Sequence, residues 1–133
     1  MAGLAEEAAK ARERAYAPYS GYHVGAAVED ESGQIHAGCN VENLSYGATT
    51  CAERGAIARM IAEGGRKIRR VAVVTADGGA PCGICLQSIL EFAEDPHTVQ
   101  IELFAGANPS AQYTLAQLMP HAFVSNTVKR ASL

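Results

Sequence analysis

A chain of 133 residues is one domain's worth of protein, long enough to bury a core of its own. With 48% apolar residues, 19% charged residues and a net charge of −3, it reads as an ordinary globular domain without the clustered basic face that nucleic acid requires. Arg66-Lys67 and Arg69-Arg70 are short basic pairs of the kind found at solvated helix ends, and no apolar run approaches the ~18 residues of a membrane span.

Residues 3–14 set Leu4, Ala5, Ala8, Ala9 and Ala11 among charges, which predicts an amphipathic helix. Pro18 and Gly21 end that pattern. Residues 22–29 read as a strand of small side chains, Ser32-Gly33 turns the chain, and 34–38 return as the second half of a hairpin. Residues 40–50 are rich in Asn, Ser, Gly and Thr and lack a clean period. They are expected to form a loop, the kind of segment that carries function on a rigid scaffold. A helix over 51–63 places Ala52, Ala56, Ile57, Met60 and Ile61 on one side and stops at Gly64-Gly65. A buried strand over 70–75 contains Val71-Ala72-Val73-Val74. A Gly-rich loop (76–81), a helix (82–94), a strand (99–104) and a short helix (114–119) stopped by Pro120 are expected to follow. Strands alternating with helices, with no repeat or linker, predict an α/β layered sheet in a single domain over 1–133.

The cysteines carry the chemistry. Cys51 opens one predicted helix, and Cys82 and Cys85 open another with C-x-x-C spacing. A helix N-terminus offers partial positive charge and free N–H groups, and both favour thiolate over thiol. Three soft thiolates make an open metal site with a fourth position left for water, and tetrahedral, sulfur-binding zinc fits it best. Glu53 stands two residues past Cys51, where it can take a proton from such a water without being a ligand. Arg54 follows and can hydrogen-bond the thiolates. The N-terminus lacks the charged-then-apolar order of a signal peptide, so the expected location is the cytoplasm, where thiols stay reduced. A redox dithiol would leave the third cysteine and Glu53 unexplained. Adding Cys39 would give a closed structural zinc site, although Cys39 alone is most simply a small buried apolar residue.

These residues resemble the small, single-domain cytidine deaminases. The likeness runs from about Ala15 to Phe123 and is carried by Ala17-Pro18-Tyr19-Ser20, Val24-Gly25-Ala26-Ala27, Gly38-Cys39-Asn40-Val41-Glu42-Asn43, Cys51-Ala52-Glu53-Arg54, Pro81-Cys82-Gly83-Ile84-Cys85 and Leu118-Met119-Pro120-His121-Ala122-Phe123. The resemblance implies a three-layer α/β/α sandwich around a mixed five-stranded sheet, assembled as a homotetramer. It implies one zinc per chain on Cys51, Cys82 and Cys85, with Glu53 as the proton shuttle. Asn40 and Glu42 would hydrogen-bond the ribose hydroxyls, and Tyr22 stands where the family usually has a Phe packing on the base. Tyr46 would lie at a subunit contact near the sugar. Phe123 would reach into a neighbour's site and stack on the pyrimidine. Backbone N–H groups near Ala52 and Cys82 would help hold the tetrahedral intermediate.

The implied reaction is hydrolytic deamination of cytidine and 2′-deoxycytidine to the uridine forms plus ammonia, with zinc-bound hydroxide as the nucleophile. Asn40-Val41-Glu42 favours an unencumbered ribose over a modified cytosine nucleoside such as blasticidin S, the alternative substrate. A non-catalytic zinc-stabilised scaffold is the alternative outside enzymology. It would require Glu53 to be dispensable. The partners expected are a small pyrimidine nucleoside and further copies of the chain, with no nucleic acid and no membrane. Four positions depart from the family pattern: Leu86 replaces a usual Arg, Ala80 a Ser or Thr, Gly55 a Thr, and Tyr22 a Phe.

Overall fold

Apolar residues on both faces of one strand decide the layering. In the computed structural model, which describes residues 3–124, β3 (Ile68–Thr75) sits at the centre of a five-stranded sheet of order β2-β1-β3-β4-β5. Val71 and Val73 of β3 face one core cluster, and Ala72 and Val74 face another. A strand covered on both sides reads as a continuous apolar run, as 71–74 does. β1 (Gly25–Asp30) repeats the division, with Ala26 and Val28 toward the larger core and Ala27 toward the smaller.

The larger core is closed by α2 (Ala52–Ala62) and α3 (Gly83–Phe92), which contribute Ala56, Ile57, Met60, Leu86 and Ile89. The smaller is closed by α1 (Leu4–Arg12) through Leu4 and Ala8. Helices on both faces of the sheet make the three-layer α/β/α sandwich. β1 pairs antiparallel with β2 (Ile35–Cys39) and with β3. β3 runs parallel to β4 (Gln100–Ala105) through the α3 crossover, and β5 (Asn108–Thr114) returns antiparallel to β4. The sheet is therefore mixed. A short α4 (Leu115–Leu118) follows, opened by a Thr114–Gln117 capping box. Among the described residues, no helix is long and apolar enough to cross a membrane.

Two features differ from the sequence expectation. The first strand begins at Gly25 rather than at residue 22. Before it, the Asn40 side chain takes the ladder's place: its Oδ1 accepts from Val24 N at 2.9 Å, and its Nδ2 donates to the Tyr22 carbonyl at 2.8 Å. The fifth strand, which the apolar pattern does not predict, is an edge with exposed or half-buried side chains and Pro109 opposite Phe104. Edge strands tolerate proline and need no apolar alternation, so the pattern gave no signal.

One close approach holds the site's main helix in place. A β-carbon at Gly38 would lie 2.4 Å from Ala56 N and 2.8 Å from the Ala52 carbonyl. Only glycine lets α2 press this closely on β2.

Candidate active site and metal centre

Cys51 and Cys82 are the N-cap residues of α2 and α3, and Cys85 lies in the first turn of α3. The two helices share one face of the sheet, so their N-termini bring the three sulfurs within 4.8 Å of one another. A tetrahedral ion with bonds of ~2.3 Å requires sulfurs roughly 3.8 Å apart, which this cluster meets with a small adjustment. Cys39, at the end of β2, is not part of the cluster.

The electrostatics also call for a cation. Burial pushes the Cys85 thiol far up, and the neighbouring Glu53 and Cys51 charges add to that. Burial works the same way on Cys82, but the N–H groups of Cys85 and Ile84 and the adjacent thiols outweigh it and pull that thiol below its ordinary range. The two neighbouring thiols are thus pulled in opposite directions. A bound dication removes the conflict by stabilising all three thiolates. Arg54 helps from outside, with Nη2 3.1 Å from the Thr49 carbonyl and 3.8 Å from Cys51 Sγ. Its hydrogen bond to Cys51, and then the one to Cys85, strengthen the guanidinium's hold on its charge.

Beside the sulfurs lies a cavity of about 220 Å³. Tyr22, Asn40, Cys51, Ala52, Glu53, Cys82 and Cys85 all line it. Glu53 is only 4% exposed. Burial raises its carboxyl above the ordinary range, against the pull of Arg54. Burial that raises a carboxyl's pKa makes it a better proton acceptor, the property a proton shuttle needs.

Four expected residues stand outside the lining of that cavity. Arg54 is behind the sulfurs. Glu42 Oε1 accepts from Tyr19 N at 2.9 Å and Ser20 N at 3.1 Å, while Oε2 accepts from the Ser20 hydroxyl. The same hydroxyl accepts from Tyr22 N at 3.0 Å, so Glu42 is two hydrogen bonds from the cavity wall. Tyr46 is 75% exposed and meets Tyr19 edge-on at 5.9 Å. Phe123 is 73% exposed, and its carbonyl accepts from Gln87 Nε2 on α3 at 3.2 Å. Sequence reasoning missed Thr49, Val73, Thr75 and Gly79 as lining residues. Thr75, the polar residue ending an apolar strand, was the visible clue among them.

The comparisons with known proteins agree with this geometry. The family model described as the cytidine and deoxycytidylate deaminase zinc-binding region matches residues 2–101. A cytidine deaminase from Sporosarcina psychrophila is 40% identical over 131 residues, covering 97% of this chain and 95% of that protein.

The chain belongs to the cytidine deaminase family.

The 1.6 Å crystal structure of cytidine deaminase from Burkholderia pseudomallei superposes with a TM-score of 0.81 at 40% identity, covering 90% of this chain and 96% of that one. The crystal structure of cytidine deaminase from Mycobacterium tuberculosis gives 0.78 at 36% identity, covering 92% and 95%. Membership in the cytidine deaminase family makes the chain an enzyme and assigns its three-cysteine cluster to one zinc per chain.

Proposed function

We propose that this enzyme deaminates cytidine and 2′-deoxycytidine hydrolytically, releasing ammonia and the corresponding uridine nucleoside. The observation that carries the reading is the placement of Glu53. Among the described residues it is the one buried carboxylate that lines the same cavity as the three cysteines. Cys51, Cys82 and Cys85 would hold zinc, which supplies Lewis acidity that makes water nucleophilic near neutral pH.

Glu53 moves the protons. It takes one from the attacking water and delivers it to N3 of the cytosine ring, which makes C4 electrophilic. It takes the second and gives it to the departing amino group. Net, one water enters and one ammonia leaves. The backbone N–H groups near Ala52 and Cys82 stabilise the charge that develops on the oxygen added at C4. Tyr22 packs against the base. Asn40, already fixed by Val24 and Tyr22, has one amide hydrogen and one lone pair left for a ribose hydroxyl. Glu42, held open by the turn over 19–20, accepts from the sugar at the rim. Phe123 does not line its own chain's cavity, which supports its use in a neighbour's site within a homotetramer. Tyr46 would lie at that subunit contact, a role its exposure beside Tyr19 supports. The setting is the cytoplasm, where reducing conditions keep the three thiols free for metal.

The test is the ultraviolet absorbance loss on adding zinc-loaded protein to cytidine, 2′-deoxycytidine, cytosine, CMP and blasticidin S. Both nucleosides should turn over. Cytosine should be very poor, because sugar ligands left without partners cost ~1–3 kcal/mol each. CMP should also be poor, because the Glu42 carboxylate repels a nearby phosphate. Cytosine or CMP turning over as well as cytidine would refute the nucleoside reading.

A further inference from the structure

The segment 76–81 joins β3 to α3 and runs directly into Cys82, and its Gly79, Ala80 and Pro81 form one wall of the cavity. It lies outside every helix and strand, so side chains have to hold it. The Thr75 hydroxyl accepts from Gly78 N at 2.8 Å and Gly79 N at 3.2 Å. Asp77 Oδ1 accepts from Gly79 N at 3.1 Å and from the Thr75 hydroxyl at 3.2 Å. These contacts fold the loop on itself. A further bond ties it to another part of the cavity lining: the Tyr22 hydroxyl donates to Asp77 Oδ1 at 2.7 Å.

The fit around that bond is close. A β-carbon at Gly79 would lie 3.2 Å from the Tyr22 hydroxyl, so a larger residue would press on the ring that closes the pocket. At Gly78, with φ +77°, a β-carbon would sit 2.4 Å from the Ser110 hydroxyl, which denies the loop room to back away toward β5. A Phe at position 22 would pack on a base equally well and leave Asp77 without this partner. Charge reinforces the pairing: the Tyr22 hydrogen bond comes first among the influences that keep Asp77 ionised, and burial together with Asp77 keeps the Tyr22 hydroxyl protonated.

We propose that Asp77 is a positioning residue for the substrate pocket, holding the Tyr22 hydroxyl and thereby fixing the β3–α3 loop as a rigid wall beside Cys82. Asp77 does not line the cavity and touches no reacting atom; it acts through Tyr22. The proposal rests on reading this cavity as the cytidine pocket. Without the clasp the wall relaxes, the pocket loses preorganisation, and binding suffers before chemistry does.

The experiment compares zinc-loaded wild type with Tyr22→Phe, Asp77→Ala, Asp77→Asn and the Tyr22→Phe/Asp77→Ala double variant, measuring KM and kcat for cytidine and amide hydrogen exchange at Gly78 and Gly79. Tyr22→Phe and Asp77→Ala should each raise KM about five- to tenfold with a far smaller change in kcat. The double variant should be no worse than the worse single variant. Asp77→Asn keeps an acceptor oxygen and should restore KM to within about twofold. Exchange at Gly78 and Gly79 should quicken in Tyr22→Phe but not in Asp77→Asn. An unchanged KM in Tyr22→Phe, or effects that multiply in the double variant, overturns the proposal. Should Asp77→Ala fail to fold, Tyr22→Phe against Asp77→Asn decides alone: a raised KM in the first only supports it, and equal KM values overturn it. A wild type that leaves cytidine intact refutes the deaminase reading instead, and the exchange rates still decide whether Asp77 holds the wall.

Discussion

Charge has to balance at the sulfurs, and Arg54 is the residue placed to do it. A dication among three thiolates carries a net −1, which works against ionising a water. The Arg54 guanidinium, 3.8 Å from Cys51 Sγ, offsets that charge. Leu86, which follows Cys85, packs in the larger core and brings no second cation. Arg54→Ala should therefore weaken zinc binding about ten- to a hundredfold, as outer partners of metal ligands commonly do. Competition against a chelator measures this directly, and an unchanged affinity would show that the guanidinium serves packing alone. The cysteines and Glu53 were legible before the structure because their chemistry is local to helix starts. Asp77 was not, because its role depends on a hydroxyl fifty-five positions away in sequence.

Elements far from the site carry their own electrostatics. His36, on β2, is 2% exposed, with Nε2 2.7 Å from Asp30 Oδ2 and Nδ1 2.7 Å from Glu63 Oε1. Both ring nitrogens face carboxyl groups, an arrangement satisfied by a cationic ring that donates from both. The cluster joins the β1–β2 hairpin to the C-cap of α2, and Arg59 pairs with Glu63 from the same helix. Burial alone would depress the His36 pKa, but Asp30 and then Glu63 outweigh it and raise it above 6.5. Burial likewise opposes Asp30's ionisation, but His36 and Ser32 outweigh it and hold that carboxyl down at about 2. The His36 contribution is complete below its ordinary pKa and fades as pH rises through the raised value. The Asp30 contribution is complete above its ordinary pKa of 3.8 and fades as pH falls toward about 2. Melting temperature should therefore hold a plateau between roughly pH 4 and 6.5 and fall on either side. In His36→Gln, which cannot ionise, the alkaline fall should flatten. Parallel profiles for the two proteins would show that the ring is neutral in the fold. The elements themselves were mostly visible in the periodicity of apolar residues, as in 71–74. The start of β1 was not, because the Asn40 side chain imitates a strand partner. Neither was β5, an edge strand whose pattern is polar.

At the scale of the molecule, several rings and aliphatic side chains stand exposed. Tyr16, Tyr19, Leu44 and Tyr46 are all exposed, as are Ile84 and Phe123 on the α3 side. A homotetramer with composite sites would cover such residues and put Phe123 to use against a neighbour's base. Stacking of a base on an aromatic ring contributes ~1–3 kcal/mol, so Phe123→Ala should raise the KM for cytidine roughly five- to a hundredfold. Sedimentation across a dilution series, with activity read on the same samples, should show turnover lost as the assembly dissociates. A fully active monomer would contradict both the assembly and the role of Phe123 while leaving the zinc chemistry intact.

The central claim is that Glu53 carries protons beside a zinc it does not bind. Glu53→Gln keeps the size and burial of the side chain while removing its ability to shuttle a proton. Zinc content and cytidine turnover measured on the same purified variant test the claim most directly. The account predicts one zinc per chain, a wild-type melting profile and a turnover number lowered by at least ~10²–10⁴-fold. A variant that keeps more than about a tenth of the wild-type rate, or that loses its zinc, would contradict it.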